Sequence, residues 1–171
     1  RSFMGFGTAF MSERATGFRH NTRRSGTTPA HDWARYPDAI PAFVERLAGV
    51  VIENRPALDV IRDHDSPSTL FYIDPPYPPA ARGARWVGKA YRHEMTDDDH
   101  RALAAVLHSV AGMVILSGYP CRLYDELYAG WHRDERSTLA DGARPRTEAL
   151  WLSPRTVDAL NARQLSLSLA V

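Results

Sequence analysis

Four consecutive residues, Asp74-Pro75-Pro76-Tyr77, combine a carboxylate, two residues that lack a backbone donor, and an aromatic ring. Each proline fixes φ and withdraws an N–H, so the pair holds its carbonyls and the flanking side chains on a rigid corner. Asp74 can accept a hydrogen bond from an amine without becoming a formal base. Tyr77 offers an aromatic face on which a planar ring can stack. The combination suits recognition of an exocyclic amino group on an aromatic heterocycle. A rigid surface turn with a satisfied aspartate would use the same four residues, so the element that delivers them matters. Here the largely apolar run 69–73 (TLFYI) leads straight into Asp74. Such a run suits a strand buried in a parallel sheet, and ligands of open α/β sheets bind outside the carboxyl ends of the strands.

The neighbouring segments must position that corner. Ile40 to Leu47 predicts a helix with Pro41 in its first turn, where a missing N–H does no harm, and Gly49 stops it. GVVIEN, residues 49–54, predicts a short strand, and Ala57 to His64 a helix with Leu58 and Ile61 on one face. Asp65, Ser66 and Pro67 turn into the strand 69–73. The Pro- and Gly-rich segment Pro75 to Arg92 reads as an irregular functional loop. Thr96 stands three residues before Asp99, a capping box that opens a helix carrying Leu103, Val106, Leu107 and Val110 on one face. MVILS (113–117) predicts a second buried strand, RLYDELYAG a short helix, and TEALWLS (147–153) a last strand, with Trp131 to Leu139 its hairpin partner. This alternation predicts an α/β fold whose sheet is covered on both sides. Strands near 50–54, 69–73, 113–117 and 147–152 are expected in one sheet, the last antiparallel. Residues 1–36 read as loop with a short helix, and the tail from Thr156 is weakly patterned.

A length of 171 residues fits one domain, and 44% hydrophobic with 24% charged residues excludes a disordered or fibrous chain. No stretch approaches the roughly 18 consecutive apolar residues of a membrane span, and the secretory layout of basic, apolar and small-residue regions is missing. The single cysteine, Cys121, excludes an internal disulfide and a cysteine-based zinc site, so no metal and a reducing, cytoplasmic setting are expected. A net charge of +1 does not mark a nucleic-acid binder. The distribution says more: Arg14, Arg19, Arg23, Arg24 and Arg35, with His20 and His31, are interrupted by a single acid, Asp32. A local basic patch can bind phosphates even in a near-neutral chain. A solvated basic loop has the same composition.

The DPPY signature, with GVVIEN before it and YRHEMTDDDHRAL, ILSGYP and TEALWLSP after it, resembles the middle and C-terminal portion of the Dam-like (class D12) DNA adenine-N6 methyltransferases, especially phage and prophage members. The resemblance covers nearly the whole chain. It implies a Rossmann-like S-adenosylmethionine-dependent methyltransferase fold and transfer of a methyl group to N6 of an adenine in double-stranded DNA. The target adenine is then flipped out of the duplex, as a base edge inside the stack cannot otherwise be reached. By this resemblance Asp74, Pro75, Pro76 and Tyr77 are catalytic: Asp74 and the Pro75 carbonyl hold the amine, and Tyr77 stacks on the base. Glu53, Asn54, Asp74, Asp97 and Ser117 fall on the cofactor side, with Gly118 and Tyr119 lining the pocket. Arg14, Arg19, Arg23, Arg24, Lys89 and Tyr91 contact DNA. No metal is required, because a sulfonium is already an activated leaving group. Asp97 to Asp99 serve equally well as stabilisers of a helix N-terminus, and Ser117-Gly118 as a plain turn.

One departure concerns the glycine loop, FxGxG in type, that this family carries after its first strand. Phe3-Met4-Gly5-Phe6-Gly7 imitates it, yet no strand precedes it to deliver a loop, and a glycine pattern without strand and helix is weak. The expectation is therefore a chain truncated at its N-terminus, lacking the first two strands, with a missing N-terminal fragment as partner. The expected division is a basic loop and helix segment over 1–48, belonging to target recognition, a catalytic core over 49–155, and a weakly structured tail over 156–171. Two other functions use the same residues. One is an N-methyltransferase acting on RNA or on a protein amide; the other is a catalytically inactive DNA-binding remnant. The basic segment and the flanking motifs favour DNA, the intact Asp74 to Tyr77 corner favours activity, and the absent glycine loop favours the remnant.

Overall fold

The structure, a computed structural model, describes residues 6–8, 15–18, 29–81, 93–140 and 144–168. Described residues up to Asn54 form one compact unit and those from Arg55 onward form another. In the first, β1 (Phe6–Thr8) pairs antiparallel with β2 (Ala15–Phe18), and α1 spans Pro29–Leu47. Pro29, rather than Pro41, opens this helix, which runs on through Pro37 and Pro41. Each internal proline removes one i→i−4 hydrogen bond, so the helix is longer than its proline spacing predicts. Ile40, Phe43, Val44 and Leu47 form an apolar stripe at helical spacing, all of them exposed. Gly49, with φ of 79°, terminates the helix in the left-handed region that glycine adopts without steric cost.

The strand expected over 50–54 does not form. Val51 and Ile52 are 80% and 87% exposed, and no described strand pairs with them. A β-branched run becomes a strand only where a neighbour completes its ladder and covers a face. Glu53 and Asn54 therefore do not end a strand.

The second unit contains α2 (Ala57–Asp63), β3 (Leu70–Ile73), α3 (Asp97–Ser109), β4 (Met113–Gly118), α4 (Arg122–Leu127), β5 (His132–Ala140), β6 (Arg144–Leu152) and α5 (Pro154–Ser168). Its sheet has the order β3-β4-β6-β5, with β3 parallel to β4 and the other neighbours antiparallel. Three of the four expected strands thus share a sheet, the last antiparallel, and the 131–139 hairpin forms. Alternation sorts the side chains by face. Phe71, Val114, Leu116, Ala149 and Trp151 point one way and pack with Ile61 of α2, Leu103, Ala104 and Leu107 of α3, and Tyr124 and Tyr128 of α4. Leu70 and Tyr72 point the other way and stay 54% and 62% exposed. On that second face, β3 thus lacks the expected cover among the described residues of this unit.

Local chemistry fixes the ends of these elements. Thr96 caps α3 in a full capping box with Asp99, whose carboxyl the Thr96 hydrogen bonds hold below its usual range. The tail from Thr156 is helical. Its anchor is a hydroxyl pair rather than an apolar stripe: Thr156 Oγ1 donates to the Val114 carbonyl and accepts from the Val114 N–H, both at 2.9 Å.

The β3–β4 register has its own clamp. Both Asp65 carboxylate oxygens accept backbone N–H groups, from Gly112 at 2.9 Å and Ala111 at 2.8 Å, while Met113 N–H donates to Thr69 O at 2.8 Å. Gly112 permits the approach, since a Cβ there would stand 2.9 Å from the Thr69 oxygen. Hydrogen bonds to a charged acceptor contribute about 1.5–3 kcal/mol each. Asp65→Ala is expected to cost about 2–4 kcal/mol in urea denaturation, with Asp65→Asn in between. A loss below about 0.5 kcal/mol for the alanine variant contradicts the clamp.

Candidate active site

The register Leu70↔Met113 through Ile73↔Leu116 carries Asp74 to the level of Ser117. Ser117 Oγ donates to Asp74 Oδ1 at 2.8 Å and lies 3.5 Å from the Tyr77 hydroxyl. Asp74 is exposed, Ser117 is buried, and Tyr77 is half-buried. The corner itself is held from below by prolines: Pro75 is buried and Pro78 fully so. Pro78 O then accepts from Ala81 N–H, closing a short 3₁₀ turn over Pro79–Ala81.

Tyr77 does not stand alone. Its ring meets that of Tyr119 edge-on, with centroids 4.6 Å apart at 70°, and the Arg146 guanidinium lies 5.1 Å from the Tyr119 centroid. Edge-to-face packing and a cation over a ring are both attractive. They hold the Tyr77 ring from one side.

A cavity of about 410 Å³ opens beside this corner, lined by Tyr72, Asp74, Tyr77, Ser117, Glu148 and Leu150 among others. The volume falls within the range of about 300–1,000 Å³ usual for small-molecule sites. The paired positions Ser117↔Leu150, Asp134↔Leu150 and Arg136↔Glu148 put these side chains on the sheet face opposite the packed helices. Asp134 and Arg136 also line the cavity and face each other at 3.5 Å. Three carboxylates, those of Asp74, Asp134 and Glu148, thus confront one guanidinium among the lining residues. Such a lining favours donors and cations and disfavours phosphate. Among the described residues no group of three His, Cys, Asp or Glu could hold a metal ion.

Of the residues singled out in the sequence, Asp74, Pro75, Pro76, Tyr77, Ser117, Gly118 and Tyr119 come together at the carboxyl ends of β3 and β4. Asp97 sits exposed in the first turn of α3 and is not among the residues lining the cavity. Glu53 is half-buried and Asn54 exposed, both in the other compact unit. Arg14, Arg19, Arg23, Arg24, Lys89 and Tyr91 lie outside the described residues. Asp134, Arg136, Arg146 and Glu148 were not found by sequence reasoning. Counting back by twos from Leu150 along β6 puts Glu148 on the same face, whereas Asp134 and Arg136 join it through the β5–β6 register.

Comparison with known proteins identifies a family. The family model described as D12 class N6 adenine-specific DNA methyltransferase matches residues 27–140, a span that includes the corner and β4. No curated protein matches the chain.

Burial above all raises the Tyr77 phenol, to about 12, with the neighbouring Asp74 carboxylate acting in the same direction. Tyr124 and Tyr128 are raised by burial as well. These phenols keep their protons in the fold while the unfolded chain loses them near 10, so stability present below that pH declines as pH rises toward 12. Ultraviolet difference titration of the protein against Tyr77→Phe should place the Tyr77 midpoint close to 12. A midpoint near 10 contradicts the half-buried site.

Proposed function

We propose, because the chain belongs to the D12 class N6 adenine-specific DNA methyltransferases, that the corner after β3 directs methyl transfer to N6 of an adenine in double-stranded DNA. One observation carries this proposal. A carboxylate is held through one oxygen, beside an aromatic face, at the mouth of a cavity suited to a base. S-adenosylmethionine, when bound, supplies a methyl group already activated on a sulfonium. The excess of carboxylates around the corner suits a cation beside it. Glu53, Asn54 and Asp97 are the further candidates for the cofactor side in a Rossmann-like arrangement.

The residues of this chain then have separate tasks. Asp74 accepts one N–H of the adenine amine and the Pro75 carbonyl accepts the other. Those two acceptors turn the nitrogen lone pair out of ring conjugation toward the methyl carbon. Held in this way, the amine nitrogen would be able to accept the sulfonium's methyl group, with the donor leaving as a neutral thioether and the amine proton passing to solvent. Tyr77 stacks on the flipped base, its own ring braced by Tyr119. Pro75 and Pro76 keep the acceptors from relaxing. Alignment of this kind lowers the barrier by fixing a near-attack geometry in advance. Because the cavity lining repels phosphate, the DNA backbone docks elsewhere. Arg14, Arg19, Arg23 and Arg24, with Lys89 and Tyr91, are the candidates for that role.

Asp74→Ala should slow single-turnover methylation of adenine-containing duplexes by about 100-fold, since an alignment contact acts mainly in the transition state. Cofactor affinity, read by titration, should stay within about threefold of wild type by the same argument. Tyr77→Ala should weaken base capture by about 1–3 kcal/mol, and Tyr77→Phe should retain activity because the ring face does the stacking. A near-normal rate for Asp74→Ala overturns the proposed site.

Arg23→Ala combined with Arg24→Ala should weaken DNA binding and lower the log–log salt slope by about 0.9 for each phosphate no longer neutralised. An unchanged slope assigns both arginines to a solvated loop.

A further inference from the structure

We propose that Ser117 is a positioning residue for methyl transfer, acting through Asp74 rather than on the cofactor; this rests on the reading of the corner given above. Ser117 is 8% exposed on β4, with its Oγ 2.8 Å from Asp74 Oδ1 and 3.5 Å from the Tyr77 hydroxyl. A carboxylate can only accept, so the single serine proton is committed to Asp74. Toward Tyr77 the same Oγ is then an acceptor. The chain of donors has one direction: Tyr77 O–H to Ser117 Oγ–H to Asp74 Oδ1.

This arrangement answers a problem that the exposed Asp74 poses. An aspartate at an open corner turns freely about its side-chain torsions, and each wrong rotamer points its oxygens away from the amine. Ser117 is a buried, strand-held donor, and it engages one oxygen only. The other is left to accept a ligand N–H from a fixed place. Of the neighbouring acids, Asp134 already faces Arg136 at 3.5 Å, and Glu148 is the cross-strand neighbour of that arginine on β6. Supporting contacts of this kind decide whether a site is aligned or merely present.

The test is a rate cycle on the full chain with Ser117→Ala, Ser117→Thr, Asp74→Ala and the double alanine variant, under single-turnover conditions with a saturating duplex. Capture of the base is read separately from the fluorescence of 2-aminopurine at the target position, and folding from the melting temperature. Ser117→Ala is expected to slow methyl transfer by about 10-fold or more, with 2-aminopurine fluorescence and melting temperature nearly unchanged. Ser117→Thr, which keeps the hydroxyl, should recover to within about threefold of wild type. The double variant should be no slower than Asp74→Ala alone, because Ser117 has nothing left to position. A Ser117→Ala rate within about twofold of wild type, or additive losses in the double variant, overturns this role while leaving the Asp74 assignment intact. If Asp74→Ala itself methylates normally, or the wild-type chain transfers no methyl group, the functional reading fails and this role with it.

Discussion

The parallel register of β3 on β4 is the constraint on which the site depends. Side chains alternate along a strand, so a slip by one residue would turn Ser117 onto the face packed by α3 and α4. In the observed register, Ile73 pairs with Leu116 and the next residues, Asp74 and Ser117, meet at 2.8 Å. The register is set at the far end of the same two strands. Asp65 ties the Ala111 and Gly112 amides to the turn that leads into β3, and Gly112 is small enough to let the chains close. A structural carboxylate at one end of the pair thereby places Asp74, the acceptor of the proposed site, at the other.

The corner adds rigidity and charge to that placement. Prolines on both sides of Tyr77 leave few torsions to freeze when a ligand binds, and two of them are buried. Conformational entropy is thus removed before the ligand arrives rather than on binding. Charge then selects the ligand's chemistry. A cavity rimmed by Asp74, Asp134 and Glu148, with Arg136 as the one guanidinium among the lining residues, favours N–H donors over phosphate oxygens. Nucleic acid can present both, and in the proposed function the lining takes the base edge while the backbone falls to basic residues elsewhere.

Much of this was legible in the sequence because it is local. The DPPY corner, the Thr96–Asp99 box, the apolar runs of β3 and β4, and the hairpin all follow from residues within a few positions of one another. What escaped depends on residues distant in the chain. The run 50–54 has strand composition but no described neighbour to pair with, so composition alone misleads. Helix α1 extends through two prolines that local rules treat as boundaries. Helix α5 is anchored by Thr156 on Val114, a contact across 42 positions that no periodicity announces. Glu148, Asp134 and Arg136 join the site only once the β5–β6 pairing is known.

The central claim is that this corner presents an acceptor to the N6 amine of adenine in DNA. Its most direct measurement is the chemical identity of the product. Duplex DNA is incubated with the protein and S-adenosylmethionine carrying a trideuterated methyl group, digested to nucleosides, and analysed by mass spectrometry. The account predicts deuterated N6-methyldeoxyadenosine as the sole labelled nucleoside. Label on cytosine, or no label in the DNA, would contradict it.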